Sequence, residues 1–106
     1  MTGISRHLNS SELKAKRILD INGWCPQRTR YFNYESSYGI PDFVCSNNRF
    51  VEVKKIQRGD NCISIHKGQL KKIKKLNKKD NQTYLMVFSD DLDEYDLYRI
   101  EHIKTE

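Results

Sequence analysis

A chain of 106 residues, 37% hydrophobic and 31% charged, has room for one core and lacks the long apolar run that a membrane span requires. A single domain over residues 1–106 is expected, with no signal peptide and no membrane partner. The three cysteines, Cys25, Cys45 and Cys62, are odd in number and widely spaced. They form neither a disulfide framework nor a paired zinc motif, and they point to reduced thiols in a cytoplasmic protein.

The net charge of +5 is unevenly spread. Residues 1–79 carry 17 Lys and Arg against 6 Asp and Glu, whereas residues 80–106 carry 2 against 8. The basic part, interleaved with aromatic residues, suits a polyanion such as nucleic acid.

In chain order, Leu8-Asn9-Ser10-Ser11-Glu12 followed by LKAKRILDIN predicts a helix entered through a Ser cap and closed by Gly23. At 100° per residue Glu12 shares a face with Ala15 and Leu19, which turns this carboxylate toward the interior. Residues 27–34 suggest a strand leading to a loop over residues 35–39. DFVC and RFVEVKKI, separated by Ser46-Asn47-Asn48, have the pattern of a β-hairpin. Residues 65–77 carry a helical stripe of Ile65, Leu70, Ile73 and Leu76 with lysines between, and Ser64 is the expected cap. Gln69 falls within the arc of Ile65, Ile73 and Leu76, facing the sheet. The run TYLMVF at residues 83–88 reads as a buried strand, and YDLYRI at 95–100 as a more exposed one. The expected fold is α/β, in the order α-β-β-β-α-β with a final strand, a mixed sheet flanked by two helices.

Strand periodicity sets Glu52 and Lys54 on one face of RFVEVKKI and Val51 and Val53 on the other. Alone, such a pair is a surface ion pair of little energetic weight. Asp42, preceded by Pro41, changes its meaning. If positions pair so that their numbers sum to 94, Asp42 lies opposite Glu52, with side-chain carbons about 5 Å apart. Two carboxylates that close are unfavourable without a cation between them, and hard oxygen ligands suit magnesium or manganese. Lys54 beside them suits an attacking water and the charge growing on a phosphate. This chemistry requires the even register, from a three-residue loop with Asn48 as the left-handed residue. A two-residue turn at Asn47-Asn48 would pair positions summing to 95 and put the two carboxylates on opposite faces.

With Pro41-Asp42 and Glu52-Val53-Lys54 in this arrangement, the chain resembles the PD-(D/E)xK nuclease superfamily, in outline closest to its archaeal Holliday junction resolvase-like branch. The resemblance covers roughly residues 8–90. It implies a restriction-endonuclease-like core in which Asp42, Glu52 and the carbonyl of Val53 are metal ligands and Lys54 is the catalytic lysine. It further implies that Glu12 is an accessory acid at the site's edge and Gln69 a supporting or phosphate-facing group. The implied activity is Mg2+-dependent endonucleolytic hydrolysis of DNA, with Mn2+ substituting, selective for DNA structure and carried out by a homodimer. Lys55, Arg58, Lys67, Lys71, Lys72 and Lys75 are the expected DNA-binding residues, forming a surface that touches phosphates without reading sequence. The alternative is a non-catalytic nucleic-acid-binding protein that keeps the nuclease fold, although pure binding gives no reason to place carboxylates against a polyanion. His7, His66 and His102 lack a zinc spacing, and the run Asp90, Asp91, Asp93, Glu94, Asp96 reads as a solvated loop.

Overall fold

The computed structural model describes residues 8–29, 41–59, 62–65, 67–78 and 80–102. In chain order it comprises helix α1 (Ser10–Ile21), strands β1 (Gln27–Arg28), β2 (Phe43–Cys45) and β3 (Arg49–Lys55), helix α2 (Lys67–Leu76), and strands β4 (Gln82–Phe88) and β5 (Tyr95–Arg99). The strands form one mixed five-stranded sheet whose spatial order follows the chain, β1-β2-β3-β4-β5. Only β3 and β4 run parallel, which requires a crossover, and α2 supplies it. The α/β class and the element order match the expectation from sequence. Among the described residues no helix is long and apolar enough to cross a membrane.

The sheet separates two layers. Phe43, Cys45, Val51, Val53, Met86 and Phe88 point to the face on which Ala15 and Leu19 of α1 complete a buried cluster. Glu52, Lys54 and Leu85 point to the opposite face, which α2 covers with the fully buried Ile73.

Helix α1 begins one residue earlier than a Ser cap allows. Asn9 is the cap: its side chain accepts the Glu12 amide at 2.8 Å, and Glu12 Oε1 accepts the Asn9 amide at 3.1 Å. This reciprocal pairing satisfies two end amides at once and explains why Asn9 wins over Ser10 or Ser11. The helix stops as expected at Gly23, whose φ of +79° other residues rarely adopt.

The hairpin adopts the even register. Phe43 faces Val51, Val44 faces Phe50 and Cys45 faces Arg49, each pair summing to 94. Both Asn47 (φ 61°) and Asn48 (φ 56°) are left-handed, where the sequence singles out Asn48 alone. A three-residue loop closes the even register with two such residues because Asn tolerates this region.

Three boundaries differ from expectation. The second helix spans residues 67–76 rather than 65–77, so Ser64 and Ile65 both lie before it. Ile100 leaves β5 for a short 3-10 turn, where it is buried. Strand β1 ends at Arg28, and the rest of the expected strand from residue 30 on, with the loop at 35–39, lies outside the described residues.

Replacing Asn9 by Ala removes the cap that orders Glu12. Urea denaturation is expected to show a loss of about 1 kcal/mol, whereas Ser10→Ala, outside the capping box, should cost well under half of that.

Candidate active site

Asp42 sits in a bend immediately before β2, and Thr29, just after β1, fixes its backbone. The Thr29 amide donates to the Asp42 carbonyl at 3.2 Å, and the Thr29 hydroxyl donates to the Pro41 carbonyl. Because the bend releases Asp42 from the strand's pleat, its carboxylate does not simply stand beside Glu52. It turns along the edge of β3 and accepts the Val53 amide through Oδ2 at 2.8 Å. In a strand the N–H and C=O of one residue point to the same side, so the Val53 carbonyl is also directed toward Asp42. In the even register Pro41 stands opposite Val53, and proline has no N–H to offer that carbonyl.

Glu52, Lys54 and Gln69 form a closed set under α2. Gln69 donates through Nε2 to Glu52 Oε2 at 2.9 Å, and Lys54 Nζ donates to Gln69 Oε1 at 3.3 Å. Lys54 Nζ also lies 3.5 Å from Glu52 Oε2, pairing a side chain that is 25% exposed with one that is 6% exposed. The helical arc that turns Gln69 inward, next to Ile73, is what brings a residue 15 positions from Lys54 within reach of it. Glu52 Oε1 is buried without a hydrogen-bond partner among the described residues. A buried pair serving stability alone would satisfy both oxygens, since an unmet buried acceptor costs about 1–3 kcal/mol.

The charges are equally uncompensated. Burial, with the Glu52 and Glu12 carboxyls nearby, pushes the Asp42 carboxyl up to about 8 against the opposing pull of the Val53 amide. Burial also raises Glu52, and the Lys54 ammonium, the Gln69 amide and the Asp42 backbone amide only partly counter it. Glu12 is buried at the helix start, held by Asn9, with its carboxyl toward Asp42. Three acids thus converge where Lys54 is the neighbouring cation that opposes the shift at Glu52.

This donor chemistry fits a hard divalent cation. The ligands would be the Asp42 and Glu52 carboxylates and the Val53 carbonyl; the orphaned Glu52 Oε1 is the atom that most needs such a partner. Among the described residues no group of three or more acidic, histidine or cysteine side chains is arranged to hold a metal.

The site opens onto a cavity of about 750 Å³ between the start of α1 and the β3–α2 connection. Val53, Lys54 and Lys55 line it on one side and Asn9, Ser10 and Ser11 on another, with Gln57 and Ser64 along the connection. Lys55, Arg58, Lys67, Lys71, Lys72 and Lys75 are all exposed. The acidic run is a solvated turn: Asp91 accepts from the Ser89 hydroxyl and the Asp93 amide, which hold its carboxyl below the usual range. Sequence reasoning missed Thr29 and the cavity-lining Ser10, Ser11 and Gln57. Thr29 reaches the Pro41 carbonyl across 12 residues with no local signal, whereas the Asn9-x-x-Glu12 capping-box spacing is a local signal that could have placed the cap of α1 at Asn9 and not at a serine.

Comparison with protein-family models, with curated proteins and with solved structures finds no significant match.

The raised Asp42 carboxyl makes metal-free stability depend on pH. Between about pH 4 and pH 8 the folded chain keeps a proton that the unfolded chain has lost, so stability is fully present below about pH 4 and falls as pH rises toward 8. The slope approaches about 1.4 kcal/mol per pH unit for one proton. Asp42→Asn should flatten it, leaving the variant the more stable protein at pH 8 in EDTA. Equal slopes in urea titrations across this range would show that Asp42 titrates normally.

Proposed function

We propose that this chain is a Mg2+-dependent endonuclease that hydrolyses phosphodiester bonds in DNA. On this reading it has a restriction-endonuclease-like core, acts on branched structures in the manner of Holliday junction resolvases, and works as a homodimer. The observation that carries the proposal is the buried Glu52 carboxylate, held on one oxygen by Lys54 and Gln69 and unpartnered on the other, next to an Asp42 burdened by like charge. Stability offers no reason for that arrangement, whereas phosphate chemistry does.

A cation held by Asp42, Glu52 and the Val53 carbonyl would polarise the scissile phosphate and lower the pKa of a water. Lys54 is the residue that spans the buried carboxylate and the open cavity, so its ammonium directs hydrogen bonds to the attacking water and to the phosphoryl oxygens as negative charge grows. Gln69 fixes both Glu52 and Lys54 by donating to one and accepting from the other, which holds the ion pair between them in place. Glu12, tied to the helix start, keeps Asp42 in a field that favours metal over proton only when a cation is near. The exposed lysines of α2 hold flanking phosphates irrespective of sequence.

Supercoiled plasmid and synthetic four-way junctions, each incubated with Mg2+, Mn2+ or EDTA, test this directly. Cleavage is expected with either metal and none with EDTA. Asp42→Asn and Glu52→Gln should each abolish cleavage, a loss of at least about a thousandfold, while binding the junction as tightly as wild type or more so. Lys54→Ala should lower turnover with metal binding kept. Neutralising Lys67, Lys71 and Lys75 together should weaken all DNA alike and flatten the log-log salt dependence by roughly 0.9 for each phosphate that is no longer neutralised. Junction binding without cleavage by the wild-type protein under every metal condition would leave a binding protein with the nuclease fold.

A further inference from the structure

Strand β5 is an edge whose outer side no described strand pairs, and it holds three of the five exposed large hydrophobic residues: Tyr95, Leu97 and Tyr98, at 43%, 38% and 45%. Natural edges are usually blunted by charged side chains, proline or a bulge; β5 carries Asp96 and Arg99 but no lysine, proline or bulge. The hydrogen bonds around it define which of its backbone groups turn away from β4. Ser89 donates to the Glu94 carbonyl at 2.9 Å, and Ile56 donates to the Phe88 carbonyl on the other side of β4. Counting from these, Asp96 and Tyr98 turn their N–H and C=O toward β4, and Tyr95, Leu97 and Arg99 turn theirs outward.

We propose that β5 is a dimerisation strand that pairs antiparallel with β5 of a second copy, about a two-fold axis through Leu97, making one continuous sheet from two chains. This surface does not depend on the proposed chemistry. Any register in which paired numbers have an even sum sets outward groups against outward ones, and the one centred on Leu97 is the one that pairs all five residues of the strand. With Leu97 opposite the partner's Leu97, Tyr95 falls opposite the partner's Arg99, so every outward-facing pair is of the type that exchanges two N–H···O bonds. A shift by one residue would set outward groups against inward ones. The side chains match as well. On the α1 side each Tyr95 ring falls opposite the partner's Arg99, whose guanidinium is held at 2.7 Å by Glu101 of its own chain, with the two leucines between. On the α2 side each Asp96 carboxylate lies beside the partner's Tyr98, whose hydroxyl is a donor of the kind Tyr98 already offers to Asp96 within one chain at 3.3 Å. The antiparallel arrangement also carries the acidic turns at Asp90, Asp91, Asp93 and Glu94 to opposite ends of the joint, away from each other. The pairing is isologous and closed, as a two-fold dimer requires.

Sedimentation equilibrium of the wild-type chain from about 1 μM to about 1 mM is expected to show a monomer–dimer equilibrium. Leu97→Lys, which sets two ammonium groups together on the axis, should weaken it at least about tenfold. Leu97→Pro should do the same and leave the fold intact by circular dichroism, because the N–H it removes points away from β4. In a background of Cys25→Ser and Cys62→Ser, Leu97→Cys should oxidise to a disulfide-linked dimer, while Tyr98→Cys, two positions off its own symmetry mate, should not. A wild-type monomer throughout that range would overturn the proposal. So would a dimer that Leu97→Lys leaves unchanged, or a Tyr98→Cys variant that crosslinks as readily as Leu97→Cys.

Discussion

The bond from the Val53 amide to Asp42 Oδ2, 2.8 Å long, is the constraint on which the rest of the site depends. It exists because the hairpin pairs positions summing to 94, and that register in turn rests on Asn47 and Asn48 both accepting left-handed backbone. A slip of one position would exchange the two faces of β3. Val51 and Val53 would leave the α1 core, Glu52 and Lys54 would enter it, and Gln69 would lose both partners. Hydrophobic burial and polar chemistry thus specify the same register, so a sequence change that weakened one would be opposed by the other.

The price of the arrangement is electrostatic. Burying Glu52 with one oxygen unpaired and raising Asp42 to about 8 both work against the metal-free fold. Such frustration is concentrated in one place, beside an open cavity and beneath a basic helix, and it is what singles this cluster out as the candidate site. The remainder of the described chain shows little of it: the one other buried side-chain polar atom without a partner is the Thr83 hydroxyl. The Trp24, Arg49 and Tyr84 cluster at the far end of β3 is fully engaged, with the Arg49 guanidinium 3.7 Å over the Trp24 ring.

Much of this is legible in the residues because the relevant signals are periodic. Alternation in RFVEVKKI separates Glu52 and Lys54 from Val51 and Val53, and helical spacing alone turns both Glu12 and Gln69 inward. What escapes is non-periodic. The cap of α1 reads as serine from the sequence because three adjacent residues all favour that position, and only the return bond from Glu12 separates Asn9 from its neighbours. The start of α2 reads two residues early because Ile65, though half-buried, packs from outside the helix. The clamp of Thr29 on Pro41 and Asp42 and the walls of the cavity join segments distant in the chain, and pairings of that kind leave no mark on composition or spacing.

Calorimetric titration of Mn2+ into the purified chain tests the central claim most directly, because it asks whether Asp42 and Glu52 converge on a cation irrespective of which DNA the protein prefers. Saturable binding to the wild-type protein is predicted, which Glu52→Gln and Asp42→Asn each remove and Lys54→Ala keeps. Identical titrations for wild type and Glu52→Gln, or no saturable heat from either, would contradict the metal site.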